Sequence, residues 1–464
     1  PDMKMPFPQI THLIPGSDQL LVVTSPNSGN STKIYRMKDD SKVATWDLWF
    51  DSGEVVYQLA FHPKWREYGY VYFGSNGASP SPLTPLPKGE GKAGKKKTRV
   101  TRYTMQTKPP FMLDPKSEKV IIDVVSNGHN GAALEFGHDG MLYLTTGDGT
   151  SDSDTDVVGQ DMSSLLAKVL RIDVDPPGAV KEYSLPKDNP FIQMKGARPE
   201  IWAVGLRNPW RMCVDDKTGH IWVAQNGQDL WEQAYLVKKG DNYGWSVMEG
   251  SHPFYLERKL APVPLVKPTL EHHHSEARSL TGGIVYYGKK YPDLVGHYIY
   301  GDYSTGKIWA AKHDGEKLIS HREICESRLS ITGFGVDSKG EILIADFQKD
   351  KGGLFTLVPT PPEMRVLTFP KKLSESGLFK CVKGHVMEDA LVPYSVNAVL
   401  WSDGAAKQRW LGLPAGAKID YRKSRGWELP DQTVIVKSFY IDTIEGDPKS
   451  RRWIETRFLT KQGA

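Results

Sequence analysis

At 464 residues, 39% hydrophobic and 25% charged, the chain exceeds the usual size of one core and predicts two domains. Its formal charge of +4 is small, and much of the surplus sits between Lys92 and Lys97, which argues against a general basic face and against nucleic acid as a partner. No apolar run approaches the about 20 residues of a membrane span, and the scattered Cys213, Cys325 and Cys381 make no disulfide framework.

The chain opens at Pro1 without a charged-then-apolar leader, so a processed or excised fragment is expected. A unit then recurs: an apolar strand, a polar turn with Gly or Asp, and a second strand ending in a small residue. It runs through residues 59–74, 136–147, 214–224 and 336–346. With 44 glycines, 32 prolines and 10% aromatics, this is hairpin chemistry repeated at irregular spacing, as in a β-propeller with large insertions. Four strands per blade leave room for about six blades before residue 360. An array of β-sandwiches is the alternative and explains the repeated hairpins less well.

Residues 79–97, rich in Pro, Gly and Lys, predict a solvated loop between two strands, with polyanion binding by Lys92, Lys95, Lys96 and Lys97 as the lesser reading. Asp152-Ser153-Asp154-Thr155-Asp156 imitates the start of an EF-hand. Val157 and Ser163 stand where its glycine and glutamate belong, so a solvated acidic turn is expected. Consecutive His272, His273 and His274 would point in alternating directions and cannot all face one zinc ion, although one could line a pocket mouth.

Pro359-Thr360-Pro361-Pro362-Glu363 is a stiff connector, which separates a domain of residues 1–360 from a second of residues 363–464. The latter carries Trp401, Trp410, Trp427 and Trp453 and strand-like residues 433–439. Its Cys381-Val382-Lys383-Gly384-His385 lacks the first cysteine of a haem-attachment motif. The expected class is therefore all-β, a six-bladed β-propeller followed by a smaller, β-rich and truncated C-terminal domain.

Chemistry concentrates in three strings. Gly128-His129-Asn130-Gly131 puts a histidine, a candidate general base, at the mouth of a β-scaffold. Gly205-Leu206-Arg207-Asn208-Pro209-Trp210 and Gly240-Asp241-Asn242-Tyr243-Gly244-Trp245 supply a guanidinium, two amides and rigid turns suited to an anionic planar ligand. In this order the strings resemble the glucose/sorbosone dehydrogenase family, β-propeller enzymes that use pyrroloquinoline quinone (PQQ); the likeness runs from about Phe7 to Pro359. The second domain, through residues 369–379 and 397–405, is similar to a β-domain found ahead of cytochrome c modules in large bacterial proteins.

The family resemblance implies His129 as the base that takes a hydroxyl proton, Arg207 as the charge stabiliser and Asn208 as a cofactor partner. It also implies a calcium ion beside PQQ, held by the carbonyls of Gly227 and Gln228, by Glu232 and at Tyr243, with Gln233 replacing a further carboxylate. Three departures stand out: Gly128 where an aspartate is usual, Ser304 in place of a cofactor lysine, and Ser330 and Thr332 in place of paired arginines. Arg278 or Arg328 could compensate.

The implied protein is a periplasmic or secreted oxidoreductase that oxidises an aldose or related alcohol and passes electrons on, for example to a cytochrome c. The alternative is a catalytically silent propeller that binds a carbohydrate or a protein. On either reading His129, Arg207, Asn208, Tyr243 and Glu232 are expected to face one cleft at one end of the propeller channel.

Overall fold

The structure is a computed structural model and describes residues 5, 7–26, 31–40, 42, 45–77, 96–175, 182–348, 352–360, 370, 372–421 and 426–461. It is nearly all β, with 45% strand and 3% helix. The chain divides into two compact units, Pro1–Val358 and Pro359–Ala464.

Six larger antiparallel sheets and one two-stranded sheet, Met248–Glu249 with His252–Pro253, occur in the first unit among the described residues; the six larger ones are arranged in sequence. Their innermost strands are Pro8–Leu13, Val56–Phe61, Gly131–Phe136, Asn208–Val214, Leu280–Val285 and Ile331–Val336. Each packs beside the next, and the last packs beside the first, so the ring closes. Five sheets have four strands; the sixth has three, ending with Gly353–Phe355.

Sequence chemistry follows this arrangement. Second strands such as Leu142–Thr146 and Tyr298–Asp302 lie between neighbouring sheets and are buried along their whole length. They therefore read as continuous apolar runs rather than as alternating strands. The outer strand Leu318–Glu326 of the fifth sheet is mostly exposed and polar.

Inner strands leave a free edge toward the ring axis, and unpaired edge groups need partners. Side chains supply them across the seams. Arg211 donates from Nε to the Thr332 carbonyl at 3.0 Å, from Nη2 to that of Gln9 at 3.3 Å, and from Nη1 to that of Tyr57. Gln58 Nε2 donates to the carbonyls of Leu134 and Met212 at 3.1 and 3.2 Å, and the Thr281 hydroxyl donates to that of Ile331 at 2.6 Å. His12 Nε2 accepts the Leu59 N–H at 3.2 Å; burial, and beyond it Arg211, pushes this imidazole down to about 3, so it stays neutral.

Within the lysine-rich stretch, residues 78–95 lie outside the described residues, as do Pro361, Pro362 and Glu363 of the connector. Lys97 is not in a loop as expected. It opens the strand Lys97–Met105, pairs with Val125 and reaches Asp123 with its ammonium at 2.8 Å.

The second unit holds a four-stranded antiparallel sheet of Val392–Pro393, Ala406–Gly412, Val434–Asp442 and Arg451–Thr460. Its core gathers Leu391, Trp410 and Val436. His385 stacks on Trp453 at 3.5 Å and bonds the Ser438 hydroxyl at 2.8 Å, a structural place far from haem chemistry.

Candidate active site

His129, Arg207, Arg278 and Arg328 each lie within three residues of the start of an inner strand, and Asn208 is itself such a start. Inner strands run side by side around the ring, so all five positions belong to the same end of it. Antiparallel pairing adds the exits of second strands: Thr146 pairs with Gly131 and Asn226 with Asn208, which brings Asp148 and the turn at residues 227–230 to that end.

The centre of the site is a histidine–carboxylate pair. His129 Nδ1 lies 2.9 Å from Asp148 Oδ1, and Asp148 is fully buried. The same oxygen accepts the N–H and the hydroxyl of Thr150 at 3.0 and 3.1 Å, and Oδ2 accepts the Trp245 indole N–H at 2.9 Å. A carboxylate taking three other donors can only accept from the imidazole, so Nδ1 carries a proton and the lone pair of the neutral ring belongs to Nε2. Nε2 has no hydrogen-bond partner among the described residues, which makes it the atom able to take a proton.

Asp148 also answers the missing aspartate at residue 128. A Cβ on Gly128 would stand 2.1 Å from the Thr150 carbonyl carbon, so this backbone admits only glycine there. The carboxylate comes instead from the strand exit, nineteen positions after His129.

Arg207 adjoins the pair. Its carbonyl accepts the Asp148 N–H at 2.8 Å, and its guanidinium lies 5.7 Å from the Trp245 ring. Two glycines allow this meeting: a Cβ on Gly205 (φ +87°) would come within 2.6 Å of the Gly244 nitrogen, and Trp245 N–H bonds the Gly205 carbonyl at 3.1 Å. Burial lowers the Arg207 guanidinium, while Asp148, Glu232, Glu249 and Asp152 raise it, and an arginine in such company stays cationic. Nε and Nη2 donate to Gln228 Oε1 at 2.9 and 2.8 Å, and Nη1 to the Asn226 carbonyl at 3.2 Å. Of five donors, three are used and two remain.

Of the groups expected to hold calcium, the Glu232 carboxylate is already engaged by N–H donors. Glu232, buried, accepts N–H groups from Gly227, Asn226, Leu280 and His274 at 3.3, 3.1, 2.8 and 2.9 Å, which fills both oxygens. The Gln228 side-chain oxygen, distinct from the carbonyl expected as a ligand, is taken by Arg207 and by the Ser153 N–H. Glu249 gathers the N–H groups of Gln228 and Asp229 at 2.6 and 2.7 Å. A hard cation needs several free oxygens, and no cluster of three ligating side chains occurs among the described residues.

Tyr243 stays out of this grouping. Its ring lies 4.1 Å from that of Tyr235 in the core, and its hydroxyl donates to Asp241 at 2.9 Å. Trp245, two residues on, is the aromatic that reaches the pair. Asn208 bonds Asn226 at 3.3 Å. Arg278 and Arg328 are exposed at the rim, Arg278 Nε donating to the His274 carbonyl at 3.1 Å. Ser304 and Ser330 give their N–H groups to Asp302 and Asp346, and the Thr332 hydroxyl is spent on the Pro8 carbonyl.

The acidic turn differs from the solvated one expected. Asp154 is buried, accepting the Ser246 hydroxyl and the N–H groups of Val158 and Gly159 at 2.6, 2.9 and 2.9 Å. Lys168, also buried, donates to the carbonyls of Val158, Gly159 and Leu166, and burial pushes its ammonium down to about 7. An amine thus occupies the carbonyl cluster that a metal loop would offer to a cation. The three histidines do alternate: His272 bonds Tyr300 and Glu276, exposed His273 bonds Ser275, and His274 bonds Glu232.

The hydrogen bond to Glu232 raises the His274 imidazole, with burial opposing it. A raised folded pKa gives stability that is full below the unfolded value and disappears as pH rises through the folded one. Thermal midpoints of the parent chain and His274→Gln should therefore differ most near about pH 5 and converge toward about pH 9. A gap independent of pH would show that the bridge carries no proton-linked stability.

A hollow of about 980 Å³ lies at the opposite end, lined in part by Lys38, Lys289, Asp337, Lys339 and Glu341. Glu341 is committed there to the Tyr286 hydroxyl and the N–H groups of Lys289 and Lys290. No histidine lines it, so size alone does not move the chemistry from the His129–Asp148 end.

A family profile described as Glucose / Sorbosone dehydrogenase matches residues 16–354. The HIPL1 protein of Arabidopsis thaliana is 32% identical over 314 residues, 57% of this chain and 45% of its own length. The Hedgehog-interacting protein of Mus musculus is 28% identical over 342 residues, 67% of this chain and 45% of its own. The chain thus spans less than half the length of these curated relatives. Among solved structures, the PQQ-bound aldose sugar dehydrogenase of Streptomyces coelicolor superposes with a TM-score of 0.54 at 22% identity, covering 75% of this chain and 90% of that one. That likeness shows the β-propeller fold, and the profile match over most of the chain shows that it belongs to the glucose/sorbosone dehydrogenase family.

Proposed function

We propose that the chain is a PQQ-dependent oxidoreductase that oxidises an aldose or a related sugar or alcohol, with His129 as general base. The observation that carries this reading is the His129–Asp148 pair, which puts a proton on Nδ1 and leaves Nε2 unbonded, while Trp245, which donates to Asp148, lies 5.7 Å from the buried Arg207 guanidinium. The surroundings fit PQQ at one edge: Arg207 has two free N–H groups, Asn208 lies beside it, and Asn130 Oδ1 is buried without a partner. Exposed Arg278 and Arg328 could meet carboxylates of such a cofactor at the rim. When bound, PQQ supplies a two-electron acceptor for hydride.

The protein's part is proton and charge handling. His129 Nε2 takes the proton of the substrate hydroxyl, and Asp148 stabilises the imidazolium that results. Arg207 faces negative charge that grows during the reaction, while Trp245 holds Asp148 and flanks Arg207. On this reading the protein works in the periplasm or outside the cell and hands electrons to an acceptor such as cytochrome c.

A silent propeller that binds a carbohydrate or protein is the second reading. It is favoured by the three bonds that already engage Arg207 and by Ser304, Ser330 and Thr332 at expected cation positions. Titration with PQQ, followed by absorbance and by aldose-dependent dye reduction, separates the two. Saturable binding with activity is expected, and Arg207→Gln should weaken PQQ binding by about tenfold to a hundredfold. Absence of both binding and activity would leave the silent reading.

A further inference from the structure

The four-stranded sheet of the second unit has one face on its core, where Trp410, Val436 and Phe458 stand opposite one another. Alternate residues point the other way. On that outer face the cross-strand rows are Leu411, Ile435 and Leu459; then Arg409, Lys437 and Arg457; then Lys407, Phe439 and Glu455. Val392, paired with Leu411, lengthens the apolar row.

Three cations directly opposite one another repel, an arrangement that costs the isolated sheet stability. The one acid of these rows, Glu455, is tied to Arg457 at 2.5 Å. Lys407, Lys437 and Arg457 stand 5.6, 5.0 and 4.9 Å from the buried Phe439 ring, so the one ring within these rows is covered by cations.

A second observation lies at the border of the cations. Val399, Leu400 and Trp401 are 69%, 74% and 76% exposed, three consecutive large apolar side chains in water. Lys407 Nζ donates to the Leu400 carbonyl at 2.5 Å and so pins this loop beside the basic row. Val392 and Leu459, at the two ends of the apolar row, are also largely exposed.

We propose that this face docks the protein on a lipid bilayer surface bearing anionic headgroups. Arg409, Lys437 and Arg457 meet the phosphates, and Val399, Leu400 and Trp401 enter the interfacial layer, where an indole is favourably placed. A soluble polyanion would answer the cations alone and leave the apolar loop and row in water. The association is peripheral: no helix among the described residues is long and apolar enough to cross a membrane.

Flotation of the full chain with phosphatidylcholine vesicles carrying one-third phosphatidylglycerol, against plain phosphatidylcholine, tests this. Binding is expected with the anionic vesicles only and should weaken as salt rises. The double variant Arg409→Gln, Lys437→Gln should lower partitioning on the order of 30-fold. Trp401→Ala should lower it while keeping the salt dependence. Glu455→Gln should raise it, a gain that a misfolded sheet could not give. Equal binding to both vesicles, undiminished binding of the double variant, or capture by heparin without capture by vesicles would each overturn the proposal.

Discussion

His129→Ala should lower turnover of the PQQ-loaded chain by about 10²–10⁴-fold while leaving apparent cofactor affinity nearly unchanged. The variant removes the proton acceptor used in the transition state and touches neither Arg207 nor Asn208. Asp148→Asn should cause a comparable loss for a different reason. Its amide would present donors where His129 Nδ1, Trp245 Nε1 and Thr150 already donate, so the imidazole would lose both its orientation and its tautomer. Steady-state dye reduction with each variant checks this. Full turnover of His129→Ala on any substrate that the parent oxidises would place the base elsewhere.

Much of the fold was legible because hairpins are local. The Asp-x-x-Gly turns, of which Asp337 to Gly340 is one, carry their own hydrogen bonds: the Asp337 carboxylate accepts the Lys339 N–H at 2.8 Å and its carbonyl the Gly340 N–H at 3.0 Å. The three motif strings were legible through their family resemblance, and in two of them Gly205 and Gly244 mark a close approach, a Cβ on Gly205 falling 2.6 Å from the Gly244 nitrogen. What escaped depends on register. Asp148 reaches His129 because the strand before it, Leu142–Thr146, returns along Gly131–Phe136 with a shift between Leu144 and Thr146, and nothing local announces that offset.

Partners distant in sequence escaped too. Glu232 reads as a free acidic ligand until His274, forty-two positions on, and the Leu280 N–H are seen to occupy it. In the string at residues 240–245, the positive φ of Gly244 turns Tyr243 into the core and Trp245 toward Asp148; composition does not say which ring goes where. Asp154 reads as solvated because Val157 and Ser163 break the metal-loop pattern, whereas its partners, Ser246 and Arg258, come from another sheet's insertion.

Arg211→Met should lower the unfolding free energy by about 3 kcal/mol, the net of two opposed effects. The guanidinium is buried, reaches across the ring axis from the fourth sheet, and bonds carbonyls on the inner strands of the first, second and sixth. Losing it leaves three edge carbonyls without these donors, at about 1–3 kcal/mol each where water does not replace them. Against this stands relief from burying a cation, whose cost shows in the guanidinium being pushed down to about 9 by burial. Methionine keeps the aliphatic volume, so the difference reports the hydrogen bonds rather than a cavity. Arg211→Ala should cost more, because it opens the axis as well. Denaturant unfolding of the parent and both variants measures this, and a loss below about 1 kcal/mol for Arg211→Met would mean that the inner edges are satisfied without it.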